Sequence, residues 1–94
     1  MSKLENYLGL AKRSNSLIFG FDNIKSQKNK IFCIILCKTA NDKQKNYVDA
    51  LCKEKGIEFR TTNILLDELL KTTNCKVVGI INKNFVKPIL ESEE

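Results

Sequence analysis

The chain has 94 residues, 43% of them hydrophobic and 29% charged, with a formal net charge of +5. This composition fits one globular domain with a core of its own and excludes an extensively disordered chain. The longest apolar run, Ile31 to Cys37, is far too short to span a bilayer.

Leu4, Tyr7, Leu8 and Ala11 recur at helical spacing, and Ser2 with Glu5 forms a capping-box pattern. A helix is therefore expected over 3–12, with Lys12 and Arg13 at its C-terminal end, where cations complement the helix dipole. Ser14-Asn15-Ser16 reads as a turn, and Leu17 to Phe19 as a short edge strand. A second, largely exposed helix is expected over 21–29, because only Phe21 and Ile24 are clearly apolar there. Ile31 to Cys37 suits a central strand buried on both faces. A helix over 42–55 carries Tyr47, Val48, Leu51 and Cys52 as its apolar stripe, and Gly56 ends it. Residues 57–61 alternate like a strand. Thr62 or Asn63 is expected to cap a fourth helix built on Ile64, Leu65, Leu66, Leu69 and Leu70. Residues 76–81 form a second apolar strand. Asn82 caps a last helix, in which Pro88 either introduces a kink or starts the final turn. Residues 91–94 are expected to be a loose tail.

Helices alternating with strands across short loops imply an α/β fold. The expected architecture is a three-layer α/β/α sandwich around a mixed four-stranded sheet, in one domain over 1–94.

The four cysteines, at 33, 37, 52 and 75, show no Cys-x-x-Cys spacing, and the chain has no histidine. A zinc centre is not expected. On one strand Cys33 and Cys37 would stand roughly 13 Å apart, too far for a disulfide. They read as small core hydrophobes in a reducing compartment. With no apolar leader after Met1, the expected location is the cytoplasm. Without histidine there is no ready general base, and neither a nucleophile elbow nor a glycine-rich phosphate loop is present. The acidic side chains fall at helix starts, where they cap or sit in solvent. No enzymatic activity and no cofactor are expected.

The distribution of charge points elsewhere. Residues 1–47 hold nine Lys/Arg against three Asp/Glu, and residues 48–94 seven against eight. A basic half beside a neutral half suggests one cationic face suited to a nucleic-acid backbone. The segment from Ser16 to Ser26 concentrates the relevant chemistry. Gly20 permits close backbone approach, Asp22 and Asn23 open a helix whose first amides are free, and Lys25, Lys28 and Lys30 follow. Phe21 could stack on a base or pack with Ile24.

Leu8-Gly-Leu-Ala-Lys-Arg13, the following turn, Ile18-Phe-Gly20, a buried strand and a helix closing on Glu54-Lys-Gly56 together resemble the YlxQ-type bacterial proteins. Leu66-Asp-Glu-Leu69, Val77-Val-Gly-Ile-Ile81 and Phe85 extend the resemblance, which covers about residues 4–90. Those proteins belong to the ribosomal protein L-seven-Ae/L-thirty-e superfamily. The resemblance implies a three-layer α/β/α fold and binding of kink-turn RNA without catalysis. By position it implies RNA contacts from Gly20, Phe21, Asp22, Asn23, Lys25, Lys28 and Arg13. It implies a second contact loop at Thr72, Thr73, Asn74, Cys75 and Lys76. Asp22 falls where that superfamily often has Asn, Asn23 where it often has Glu, and Leu70 where it usually has Gly. The expected partner is structured RNA, ribosomal RNA included, in a ribosome- or translation-associated ribonucleoprotein role, with the protein a monomer. The alternative is a protein-interaction module on the same fold.

Overall fold

The two apolar runs become the two inner strands of a four-stranded sheet. The structure, a computed structural model, describes residues 2–27 and 30–94. Strand β2 (Cys33–Cys37) is buried along its whole length, as is β4 (Val77–Ile80). The strand order is β1-β4-β2-β3, with β1 (Leu17–Phe19) and β3 (Glu58–Thr62) on the edges. β2 runs parallel to β3, and β4 runs antiparallel to both β1 and β2.

Successive strand residues point to opposite faces, so the continuous hydrophobicity of β2 serves two cores at once. Cys33, Ile35 and Cys37 join Val78 and Ile80 on one face. Helices α1 (Lys3–Arg13), α4 (Leu66–Leu70) and α5 (Val86–Glu91) cover that face through Leu4, Leu8, Ala11, Leu66, Leu70 and Ile89. Ile34, Leu36 and Val77 face the other way, under α2 (Phe21–Ser26) and α3 (Asp42–Lys55) with Ile24, Val48 and Cys52. The result is a three-layer α/β/α sandwich. No helix among the described residues is long and apolar enough to cross a membrane.

Helix ends follow local chemistry closely. Ser2 and Glu5 form a reciprocal capping box on α1, and Asn41 and Gln44 form another on α3. Asn15 takes a left-handed φ of 56° in the turn after α1, and Gly56 one of 66° after α3. Those conformations suit Asn and Gly because neither pays the full Cβ penalty there.

Several boundaries differ from the sequence reading. α2 stops at Ser26, with Gln27 already extended; residues 28–29 of the expected helix lie outside the described residues. Beyond Ile24 it has no apolar residue to bury, and burial is what sustains short helices. β2 begins at Cys33 instead of 31, because Ile31 turns its side chain into the second core against Gly79. α4 begins only at Leu66, with Leu65 as an N-cap that makes no side-chain bond. The Thr62 hydroxyl is already committed: it accepts from Ile64 N (3.1 Å) and donates to Glu94 Oε1 (2.7 Å). Asn82 does cap the last helical segment by accepting from Asn84 N, but a 3₁₀ turn (Lys83–Phe85) precedes α5. Pro88 stands in the first turn of α5, where its missing N–H removes no intrahelical bond.

Residues 91–94 bond back onto the fold. Glu93 O accepts from Leu4 N, Asn63 N donates to Glu94 Oε1, and the Arg60 guanidinium lies 3.6 Å from Glu94 Oε2. Burial pushes the Glu94 carboxyl up, but Thr62, the Asn63 amide and Arg60 outweigh it and hold it below the usual carboxylate range.

Candidate nucleic-acid interface

Gly20 joins β1 to α2 with φ 84° and ψ 158°. No atom lies within 4 Å of where a Cβ would sit, so the demand for glycine is conformational and not steric. Its N–H donates to Val77 O (3.1 Å) and its carbonyl accepts from Ile24 N (3.1 Å). Gly20 makes no side-chain cap on α2. Asp22 is exposed, while the exposed Asn23 turns its Nδ2 back to donate to Phe19 O at 2.8 Å.

The Gly20–Val77 bond fixes the relation between the opening of α2 and the segment before β4. That segment turns twice through left-handed conformations, at Lys71 (φ 54°) and Asn74 (φ 53°). Thr73 and Asn74 are exposed, and Thr72 is half-buried. Cys75 points into the first core at 3% exposure, so its side chain supports the loop from beneath and is not offered to a ligand. Lys76 Nζ donates to Thr39 Oγ1 (2.9 Å), and Lys76 O accepts from Cys37 N (2.8 Å). A third segment, the turn Lys38–Thr39 after β2, therefore meets the other two at the same end of the sheet.

Cys37 lies beneath this junction. Its sulfur is 3.1 Å from Thr39 Oγ1 and donates to Ile64 O (3.4 Å). Burial pushes this thiol up, yet the Thr39 hydroxyl and amide, the Leu66 amide and the Lys76 ammonium bring it below its ordinary value. The other cysteines sit in apolar surroundings. Burial drives Cys33 up to about 12 and Cys52 up to about 11, and it also raises Cys75. All four are free thiols.

Phe21 packs edge-on against Tyr47, with ring centroids 6.0 Å apart at 72°, and contributes to the second core. The ammonium of Lys25 lies 4.8 Å from the Tyr47 ring centroid. Lys30 rests similarly over Phe32, at 5.2 Å. Lys28 lies outside the described residues.

Arg13 is not brought to this junction by any bond among the described residues. Its helix leads into the turn where Ser16 O accepts from Ile81 N, at the opposite end of the β1–β4 pair from the Gly20–Val77 bond. Its guanidinium folds back to 3.7 Å from where a Cβ on Gly9 would be. The neighbouring Lys12 is committed as well, donating to Leu70 O at the end of α4.

With this geometry, the chain is similar to a solved structure described as a protein of unknown function from Bacillus halodurans. The two share 21% identity with a TM-score of 0.86, over 96% of this chain and 95% of the other. That likeness establishes the fold. No protein-family model and no curated protein matches the chain.

Sequence reasoning brought together Gly20, Asn23, Thr73, Asn74 and Lys76, and the fold places their segments side by side. It missed Lys38 and Thr39. It also missed Lys43, and it placed Tyr47 only in the apolar stripe of α3. The meeting of Lys38 and Thr39 with Lys76 follows from the antiparallel β2–β4 pairing, which no local pattern announces.

Proposed function

We propose that this protein is a non-catalytic binder of structured, kink-turn-like RNA, acting in a ribosomal or translational setting. The observation that carries this reading is the Gly20 N–Val77 O bond. It seats the exposed opening of α2 beside the loop at 72–76, with Lys25, Lys38 and Lys76 around them. Folded RNA is recognised by shape, by splayed bases and by phosphate contacts. A surface of backbone amides, small polar side chains and flanking lysines supplies those contacts.

Gel-shift titration against a kink-turn RNA and a straight duplex of equal length tests the reading. The kink-turn should bind at least about tenfold more tightly, and binding should weaken steeply as salt rises from about 50 to about 200 mM. Gly20→Val should reduce affinity, because a β-branched residue resists the left-handed conformation that Gly20 adopts. Equal affinity for both RNAs rejects the reading.

Asp22 favours a second reading, an interaction module with a protein partner. It exposes a carboxylate in the first turn of α2, where a phosphate would be repelled. Asp22→Asn separates the two: RNA affinity holds or rises under the first reading, and neither form binds RNA under the second.

A further inference from the structure

Between α2 and α3 lies an open cleft of about 320 Å³, lined by Phe21, Lys25, Asn41, Lys43, Gln44 and Tyr47. This is at the small end of ligand sites, which span about 300–1,000 Å³. Its floor is aromatic, with Phe21 set edge-on against Tyr47 and the Lys25 ammonium over the Tyr47 face. Lys25 and Lys43 are exposed, whereas Tyr47 is half-buried and fixed by Phe21.

The α3 capping box gives the rim a single polarity. Asn41 Oδ1 accepts from Gln44 N (2.8 Å), and Gln44 Oε1 accepts from Asn41 N (2.9 Å). Both amide oxygens are thereby engaged, and each side chain is left with its NH₂ group to offer. Two ammonium groups add further donors, and none of the described lining residues is a carboxylate; the nearest acids are outside the lining, where Glu54 and Asp22 add to burial in pushing the Tyr47 phenol up. A complementary ligand needs a planar π-face for Tyr47 and an acceptor-rich, anionic remainder. A nucleotide has both.

We propose that the α2–α3 cleft binds one nucleotide unit, its base stacked on Tyr47 and its phosphate held between Lys25 and Lys43. The unit is either a free nucleotide or an unpaired residue of an RNA strand, since both present the same chemistry. Without ligand, the Lys25 ammonium occupies the ring face, a weak contact at an exposed site. The arriving base replaces it with a stacking contact, which tolerates any base identity. The displaced ammonium then turns to the phosphate. This site stands on residues other than the loop at 72–76 and does not require kink-turn recognition.

The chain has two tyrosines and no tryptophan, so a Tyr7→Phe variant leaves Tyr47 with the only tyrosine ring resonances in an NMR spectrum. Titration with guanosine 5′-monophosphate should shift those resonances upfield and saturate with a Kd on the order of 1 mM. Guanosine, which lacks the phosphate, should bind about tenfold more weakly. Lys25→Ala and Lys43→Ala, both at exposed positions, should each weaken the nucleotide several-fold. Lys53→Ala, elsewhere on α3, should not. A single-stranded oligoribonucleotide that binds about tenfold more tightly than the mononucleotide identifies an RNA strand as the source; equal affinity identifies the free nucleotide. No saturable shift with either probe overturns the proposal, as does a shift indifferent to both lysine variants. A failure here with kink-turn binding intact leaves the proposed function standing, and the reverse result separates them equally.

Discussion

The two helical layers differ in how completely they cover the sheet. On one face α1, α4 and α5 lie over a large core that takes in Leu4, Leu8, Leu66, Leu70 and Ile89 at full burial. On the other face, α3 is long but α2 has only six residues. The short helix leaves the α2–α3 cleft open and keeps Phe21, Tyr47 and Ile18 only partly buried. The lesson is a division of labour. The well-covered layer supplies stability, and the sparsely covered layer exposes the lysines and aromatic edges on which the proposed binding surface rests.

Four measurements would break or sharpen this contrast. Leu8→Ala should have the largest effect. It removes a fully buried side chain from the covered layer and should cost about 2–5 kcal/mol in denaturant unfolding. RNA affinity of the fraction that remains folded should be unchanged.

Gly79→Val should come next. A Cβ on Gly79 would already lie 3.3 Å from Ile31 Cγ2 and 3.5 Å from Ile24 Cγ1. The extra methyl groups should cost about 1–3 kcal/mol by overpacking. They should also displace α2 through Ile24, so RNA affinity should fall even under conditions where the protein stays folded. Unchanged affinity in Gly79→Val would contradict the assignment of binding to the α2 layer.

Alkaline titration probes the cores directly. In the folded state Cys33 is raised to about 12 and Cys52 to about 11, against 9.0 for an ordinary thiol. Between the ordinary and the raised values the unfolded chain has released protons that the folded one retains. The contribution of these two thiols should therefore be constant below about pH 9 and decline above it, by up to about 1.4 kcal/mol per pH unit for each. A Cys33→Ala variant should show a shallower decline in unfolding experiments between pH 9 and 11.

Ser2→Ala should have the smallest effect of the four. It removes the hydroxyl that accepts from Glu5 N in the capping box at the start of α1, leaving the Ser2 N–H to Glu5 bond in place, and should cost about 1 kcal/mol, read as a small drop in Tm with RNA affinity unaltered.

Much of this molecule is legible in its sequence, because the responsible forces act over a few residues. Ser2 with Glu5 and Gly56 after Lys55 mark helix ends through local hydrogen bonds and backbone sterics. The Ile31–Cys37 run marks an inner strand, since only a strand covered on both faces makes use of every side chain. Other features depend on distant partners. Thr62 looked like a helix cap, but Glu94 claims its hydroxyl from 32 residues away. Cys75 and Arg13 carried chemistry suited to a ligand, but one is drawn into the first core and the other stands at the far end of the β1–β4 pair.

The sequence by itself therefore determined the element order, the two inner strands, the Ser2 cap, the Gly56 stop and the α/β class, all of which follow from periodicity and local bonding. Only the tertiary structure decided which loops share an end of the sheet, how soon α2 stops, and that Tyr47 faces Lys25 across a cleft. Those outcomes depend on strand pairing and on competition for burial between segments far apart in the chain, and a residue's own neighbours carry no record of either.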